Sequence, residues 1–138
     1  MTDEQSVQAA KNEPLFDASE HLNSETNMNT KRMRCLRCDS IILEAGTALL
    51  HKTDVPFEIP SMKKKHELVA NKDGFTVESA DTFWLLKDML AFENIGFTNT
   101  VDQKKYLICA DCEIGPLGLQ NLEKNDEFLV CVERVKYC

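Results

Sequence analysis

The sequence lacks any apolar run near the roughly 20 residues that cross a bilayer, so no transmembrane segment is expected. Its opening, MTDEQSVQAAK, has no basic stretch followed by an apolar one, so no signal peptide is expected either. Positive charge is short: 16 Lys and Arg against 23 Asp and Glu leave a formal net charge of −7. A nucleic-acid binder needs a basic face to displace counterions, and this balance argues against one. Histidine is scarce too, with only His21, His51 and His66. All three fall in polar or loop contexts and are expected at the surface rather than on a metal.

The acidic excess is uneven. Residues 1–30 carry Asp3, Glu4, Glu13, Asp17, Glu20 and Glu25 against Lys11 alone, while the other 108 residues carry 17 acids and 15 bases. The same thirty residues are poor in aromatics, with Leu15, Phe16 and Leu22 as their bulky apolar side chains. Such a segment buries too little surface to offset its ordering entropy. The expected organisation is a disordered acidic leader over 1–30 and one domain over 31–138. The leader's Pro14-Leu15-Phe16 could dock a partner.

What is present in quantity is cysteine. Cys35 and Cys38 form one CxxC pair, Cys109 and Cys112 a second, with 70 residues between the pairs. Four thiolates in two short turns supply the soft tetrahedral ligand set of a structural zinc ion, although the separation exceeds the usual ribbon spacing. Without an export signal, disulfides are the poorer reading, and a reducing, cytoplasmic setting follows. Four thiolates also suit iron, but no aromatic cluster shields both knuckles, so one zinc is expected. Cys131 lies in an alternating stretch and reads as a small buried residue.

Along the chain, Ile41–Leu43, Glu44-Ala45-Gly46 and Thr47–Leu50 read as strand, turn and strand of a hairpin. Residues 51–74 look loop-like, with Pro56, Pro60 and the basic run Lys63-Lys64-Lys65-His66, whose plainest reading is a solvated face. Asn71–Gly74 suggests a turn. Local propensity over Phe83–Phe97 favours helix, but Asn94-Ile95-Gly96 is a turn signal. Val101–Ala110 leads into the second knuckle as a strand. Glu127–Tyr137 alternates as one half-buried strand.

Five blocks, taken together, resemble the Mss/Dss family of Rab-binding guanine-nucleotide-release factors. They are CLRCDS with GTALL, IPSMKKK, WLLKDMLAFENIGFT, YLICADCEIGPLG and FLVCVERV, in order across roughly residues 33–135. The resemblance implies a mostly β fold of curved antiparallel sheets, a β-tent, pinned at one end by zinc on four cysteines. The Phe83–Phe97 stretch then becomes strands around a turn. It implies non-covalent action, with no catalytic residue: binding nucleotide-free Rab-type small GTPases in vesicular transport, to release GDP or shelter the empty GTPase as a chaperone. A monomer is expected, cytoplasmic or held at membranes through its Rab partners. The family's binding surface lies near the zinc end and includes the acidic residue of the CADC motif, which is Asp111 here. Glu93, Asn94, Phe97 and Ile114 are further expected contacts, although Phe97 and Ile114 could equally be core.

An enzyme reading stands beside this one. Type B methionine sulfoxide reductases share the broad fold and paired zinc knuckles, with a catalytic cysteine after an Arg-Tyr pair. This chain ends Val135-Lys136-Tyr137-Cys138. A nucleophilic thiol needs a lowered pKa and a substrate groove, and Cys138 sits beside the terminal carboxylate, which works against the first.

Overall fold

Strand β10 (Glu127–Cys131) is buried along nearly its whole length because it serves two cores. Phe128 and Val130 belong to one apolar cluster, Leu129 and Cys131 to another. Successive side chains on a strand point to opposite faces, so an uninterrupted apolar run marks a strand covered on both sides. The computed structural model describes residues 14–64, 77–98, 100, 103–123 and 127–138.

The fold is mostly β with antiparallel pairing. In chain order the strands are β1 (Met33–Cys35), β2 (Ile41–Leu43), β3 (Leu49–Pro60), β4 (Lys63–Lys64), β5 (Val77–Leu86) and β6 (Gly96–Phe97). After them come β7 (Lys104–Ile108), β8 (Ile114–Gly115), β9 (Gly118–Asn121), β10 and β11 (Val135–Tyr137). A six-stranded sheet runs β3-β5-β10-β9-β7-β6, a three-stranded one β11-β1-β2, and β4 pairs with β8. One apolar cluster joins Trp84, Leu107 and Val130 of the large sheet to Met33, Ile42, Leu43 and Val135 of the small one. The other gathers Ile59, Phe83, Leu119, Leu129 and Cys131 on the opposite face of the large sheet. Each large side chain so buried contributes about 1.5–3 kcal/mol.

Gly118 sets how closely β9 and β10 approach. A Cβ there would run into the Leu129 carbonyl oxygen, which is backbone and cannot swing aside.

Four sequence expectations differ from the fold. The turn at Gly46 is present, with φ 73°, but it does not close a hairpin: β2 pairs with β1 and β3 with β5. Asn29 is the reason, because its Oδ1 takes the Thr47 and Ala48 amides and its carbonyl takes the Gly46 amide. The loop expected from residue 51 is the rest of β3, whose register shifts between Lys52 and Phe57. That irregularity accommodates Pro56, which has no N–H for a ladder. The single strand expected over Glu127–Tyr137 is two, β10 and β11, separated by a turn. By contrast, the Phe83–Phe97 stretch runs as the resemblance implies, as the end of β5, a 3-10 turn at Met89–Ala91 and β6. Lys65, His66, Asn71–Gly74 and Val101 lie outside the described residues.

The fourth difference is the leader. Composition draws the domain boundary at residue 30, yet packing begins near residue 15. A short helix, α1 (Ala18–His21), is capped by Asp17, and Met28 bridges to Leu49. Asn29 is 2% exposed, and its Nδ2 donates to the Lys31 and Glu44 carbonyls. His21, expected at the surface, is 8% exposed: it stacks on Tyr137 at 4.2 Å and its Nδ1 accepts the Asp17 amide. Apolar content alone misjudges this segment because polar side chains and rings anchor it. Residues 1–13 of the expected leader lie outside the described residues.

Candidate metal centre and the edge beside it

The two CxxC turns are built alike. The first joins β1 to β2, the second β7 to β8, so they come from different sheets. In each, the residue after the second cysteine has a left-handed backbone, Asp39 at φ 71° and Glu113 at φ 63°. Its amide donates to the first cysteine's carbonyl: Asp39 to Cys35 at 3.1 Å and Glu113 to Cys109 at 2.8 Å. The first cysteine's amide closes the turn onto Ser40 in one case and Ile114 in the other.

These turns bring the Sγ atoms of Cys35, Cys38, Cys109 and Cys112 within 4.8 Å of one another. Cys35 lies 3.6 Å from Cys112, and Cys38 3.6 Å from Cys109. A disulfide needs about 2.05 Å, so these are not bonded pairs. Four sulfurs about 2.3 Å from a tetrahedral zinc ion stand about 3.8 Å apart, and the separations fit such an ion. The donor set and its spacing could therefore hold one metal.

The thiols differ in acidity. The Ser40 hydroxyl and then its amide draw Cys38 down to about 6. Burial pushes Cys112 up to about 12, and burial also raises Cys35. A metal that takes Cys35 and Cys112 as thiolates must displace the protons that burial holds on them.

Around the sulfurs, Asn94 is spent on the second knuckle: its Nδ2 donates to Cys109 Sγ at 3.3 Å and its Oδ1 accepts the Ala110 amide at 2.9 Å. Asp111 is exposed and ties the knuckles together, its carboxylate accepting from the Ser40 hydroxyl. Cys38 Sγ lies 3.2 Å from the same Ser40 oxygen. Glu93 is exposed, and its amide donates to the Ile42 carbonyl beside the first knuckle. Phe97 and Ile114 are half-buried against the main apolar cluster, Phe97 with its ring 6.3 Å from Phe128. The expected site residues thus share one end of the molecule, but they divide into exposed acids, a knuckle-bound amide and core-facing apolar groups.

Sequence reasoning missed three residues here. Ser40 had been given no role at the site. Met89 and Leu90 fall in the stretch read as helix by propensity and as strands around a turn by resemblance, and they are 49% and 83% exposed on the 3-10 turn. The available signal was Asp88: its Oδ1 accepts the Leu90 amide at 2.9 Å, and this cap ends β5 and turns the next two side chains outward.

With this geometry in place, comparison with protein-family models matches residues 28–137 to the Mss4 protein family. The chain belongs to the Mss4 family. A relative from Drosophila melanogaster, named guanine nucleotide exchange factor MSS4 homolog, is 41% identical over 101 residues. The match covers 73% of this chain and 80% of that protein. A Schizosaccharomyces pombe protein of the same name is 31% identical over 107 residues, covering 75% of this chain and 95% of its own length. The Mss4 match contains all four cysteines, Asn94, Asp111 and the Met89–Leu90 turn, and it leaves out residues 14–27. Among the described residues no helix is long and apolar enough to cross a membrane.

The remaining cysteines do not form a second centre. Cys131 is buried, and burial pushes its thiol up to about 12, the wrong direction for a nucleophile. Cys138 is exposed, with its amide donating to the Arg32 carbonyl.

Proposed function

We propose that the chain is a guanine-nucleotide-release factor for Rab-type small GTPases in vesicular transport, acting without covalent chemistry. It binds the nucleotide-free form, as an exchange factor or as a holding chaperone. It does so in the cytoplasm, as a monomer that reaches membranes through its GTPase partners. One zinc ion on Cys35, Cys38, Cys109 and Cys112 fixes the two knuckles. The domain that does this covers 31–138, extended by the packed residues 14–30.

The observation that carries this reading is Leu90 and Met89 standing in solvent on a capped turn, in a Mss4-family chain, with Glu93 and Asn94 leading from that turn into the thiol cluster. Exposed apolar groups with an exposed acid close by in the chain, here Glu93, suit the centre of an interface. Asn94 serves by holding the second knuckle, and Phe97 and Ile114 by backing the edge from the core. A GTPase grips its nucleotide through phosphate-cradling backbone and a magnesium ion. A partner that prefers the empty form weakens nucleotide binding by the same factor. A rigid edge supplies that preference without a nucleophile.

The test is release of a fluorescent GDP analogue from a panel of Rab-type GTPases, with capture of the same GTPases stripped of nucleotide and freed of chelator. Faster release and selective capture of the empty form are expected. Equal capture of empty and GDP-loaded forms across the panel contradicts the reading.

A further inference from the structure

Away from the knuckles, Leu15 and Phe16 of the leader reach the turn between β10 and β11. Their two amides donate to the two carboxylate oxygens of Glu133, at 2.6 and 3.3 Å. The Phe16 ring meets Trp84 edge-on at 5.5 Å and 87°, and lies 6.0 Å from Tyr137. Trp84 is fully buried, and its indole N–H donates to Tyr137, whose hydroxyl donates to the Val132 carbonyl. The seat is therefore rigid, while the segment on it is not deeply held. Pro14 and Leu15 are exposed and Phe16 is only partly buried, in contrast to His21 and Asn29 farther along.

Two further features set this contact apart from ordinary packing. The seat residues Trp84, Glu133 and Tyr137 all lie within the Mss4 match, whereas the segment on the seat lies outside it. A cavity of about 600 Å³ also borders Phe16 and Glu133, walled by Leu50 and Val132 together with the charged Lys52, Glu78, Asp81 and Arg134. That volume is within the range of ligand sites.

We infer that the Glu133–Trp84–Tyr137 seat is a docking site for a bent peptide segment bearing an aromatic residue, and that Pro14-Leu15-Phe16 occupies it in cis until a partner segment displaces it. One carboxylate reading two successive amides recognises backbone bent so that both N–H groups face the same way, as the chain is at Leu15. The ring socket supplies the preference for an aromatic side chain, and the adjoining cavity has room for a longer occupant than the leader. A tip tethered this closely competes at an effective concentration of about a millimolar. A seat with an intrinsic Kd of about 100 µM is then masked about tenfold.

The experiment follows fluorescence anisotropy of a labelled peptide of residues 11–19, KNEPLFDAS, on the full chain. Phe16→Ala is expected to bind it about tenfold tighter than the unsubstituted chain. Adding Glu133→Gln should reverse that gain, and a peptide carrying Phe16→Ala should not bind. Leu15→Pro, which removes one amide donor and keeps the ring, serves as the second opening variant should Phe16→Ala fail to fold. Equal binding to the unsubstituted chain and to the opened variants overturns the inference, as does equal binding of the peptide without its ring. Either result makes the leader a fixed part of the fold.

Discussion

The two ends of the small sheet are held in opposite ways. At the knuckles, four thiols from turns 70 residues apart converge on a point where one ion can join both sheets. At the leader, residues 14–30 are held by a buried amide, a stacked imidazole, a ring edge and two amides on a carboxylate. With an ion bound, the first attachment would concentrate its free energy in one cluster, so losing any of the four thiols would undo it. The second divides the same task among weak contacts, so it should yield by degrees, tip first. A rigid edge for a partner suits the first arrangement, and a displaceable segment suits the second.

Breaking the knuckle end should have the largest effect. Cys109→Ser is expected to cost several kcal/mol, because structural zinc contributes on the order of 10 kcal/mol to folding. Melting temperature and elemental analysis should fall together, and full metal content in a stable variant would break the contrast. Next comes Asn29→Ala, which strands the Thr47 and Ala48 amides and two carbonyls at a site 2% exposed. A loss of about 2–4 kcal/mol is expected by denaturant titration, with metal content unchanged. Phe16→Ala should cost less, about 1 kcal/mol, since its ring is only partly buried. Hydrogen exchange should then show faster opening in residues 14–20 alone. Smallest is Lys136→Ala. Its 2.7 Å pair with Asp39 joins two solvent-exposed groups, and the melting temperature should scarcely move. That pair lowers the pKa of Asp39, so whatever it contributes fades as pH falls through the carboxylate range.

The same contrast decides what was legible in the sequence. Cys35, Cys38, Cys109 and Cys112 announce themselves because metal chemistry fixes both residue type and local spacing. The sheets were legible through resemblance more than through pattern, since the alternation read over Glu127–Tyr137 implies one covered face, whereas β10 serves two cores. Asn29 and His21 were invisible because a polar residue in a polar stretch carries no mark of burial. Asn29 depends on amides left unpaired between β2 and β3, and His21 on the Tyr137 ring and the Asp17 amide. Met89 and Leu90 drew no notice for the converse reason: apolar type does not announce exposure, and only the Asp88 cap shows that the chain turns there. Glu93 and Asp111 were placed in solvent at the metal end, while Asn94 is drawn into the knuckle.

The central claim is that the knuckle end is a binding edge for a nucleotide-free GTPase, and the most direct measurement compares Leu90→Ala and Asp111→Ala with the unsubstituted chain. For each, the rate of GDP release from a responsive Rab-type GTPase is read alongside metal content and melting temperature. Leu90 stands in solvent, so its truncation should barely touch stability, yet slow release at least tenfold, as loss of an interface anchor worth about 2 kcal/mol does. Asp111→Ala should slow release as well, with metal retained despite the lost contact to Ser40. Undiminished release by both variants, or release that falls only in step with metal loss, would contradict the account.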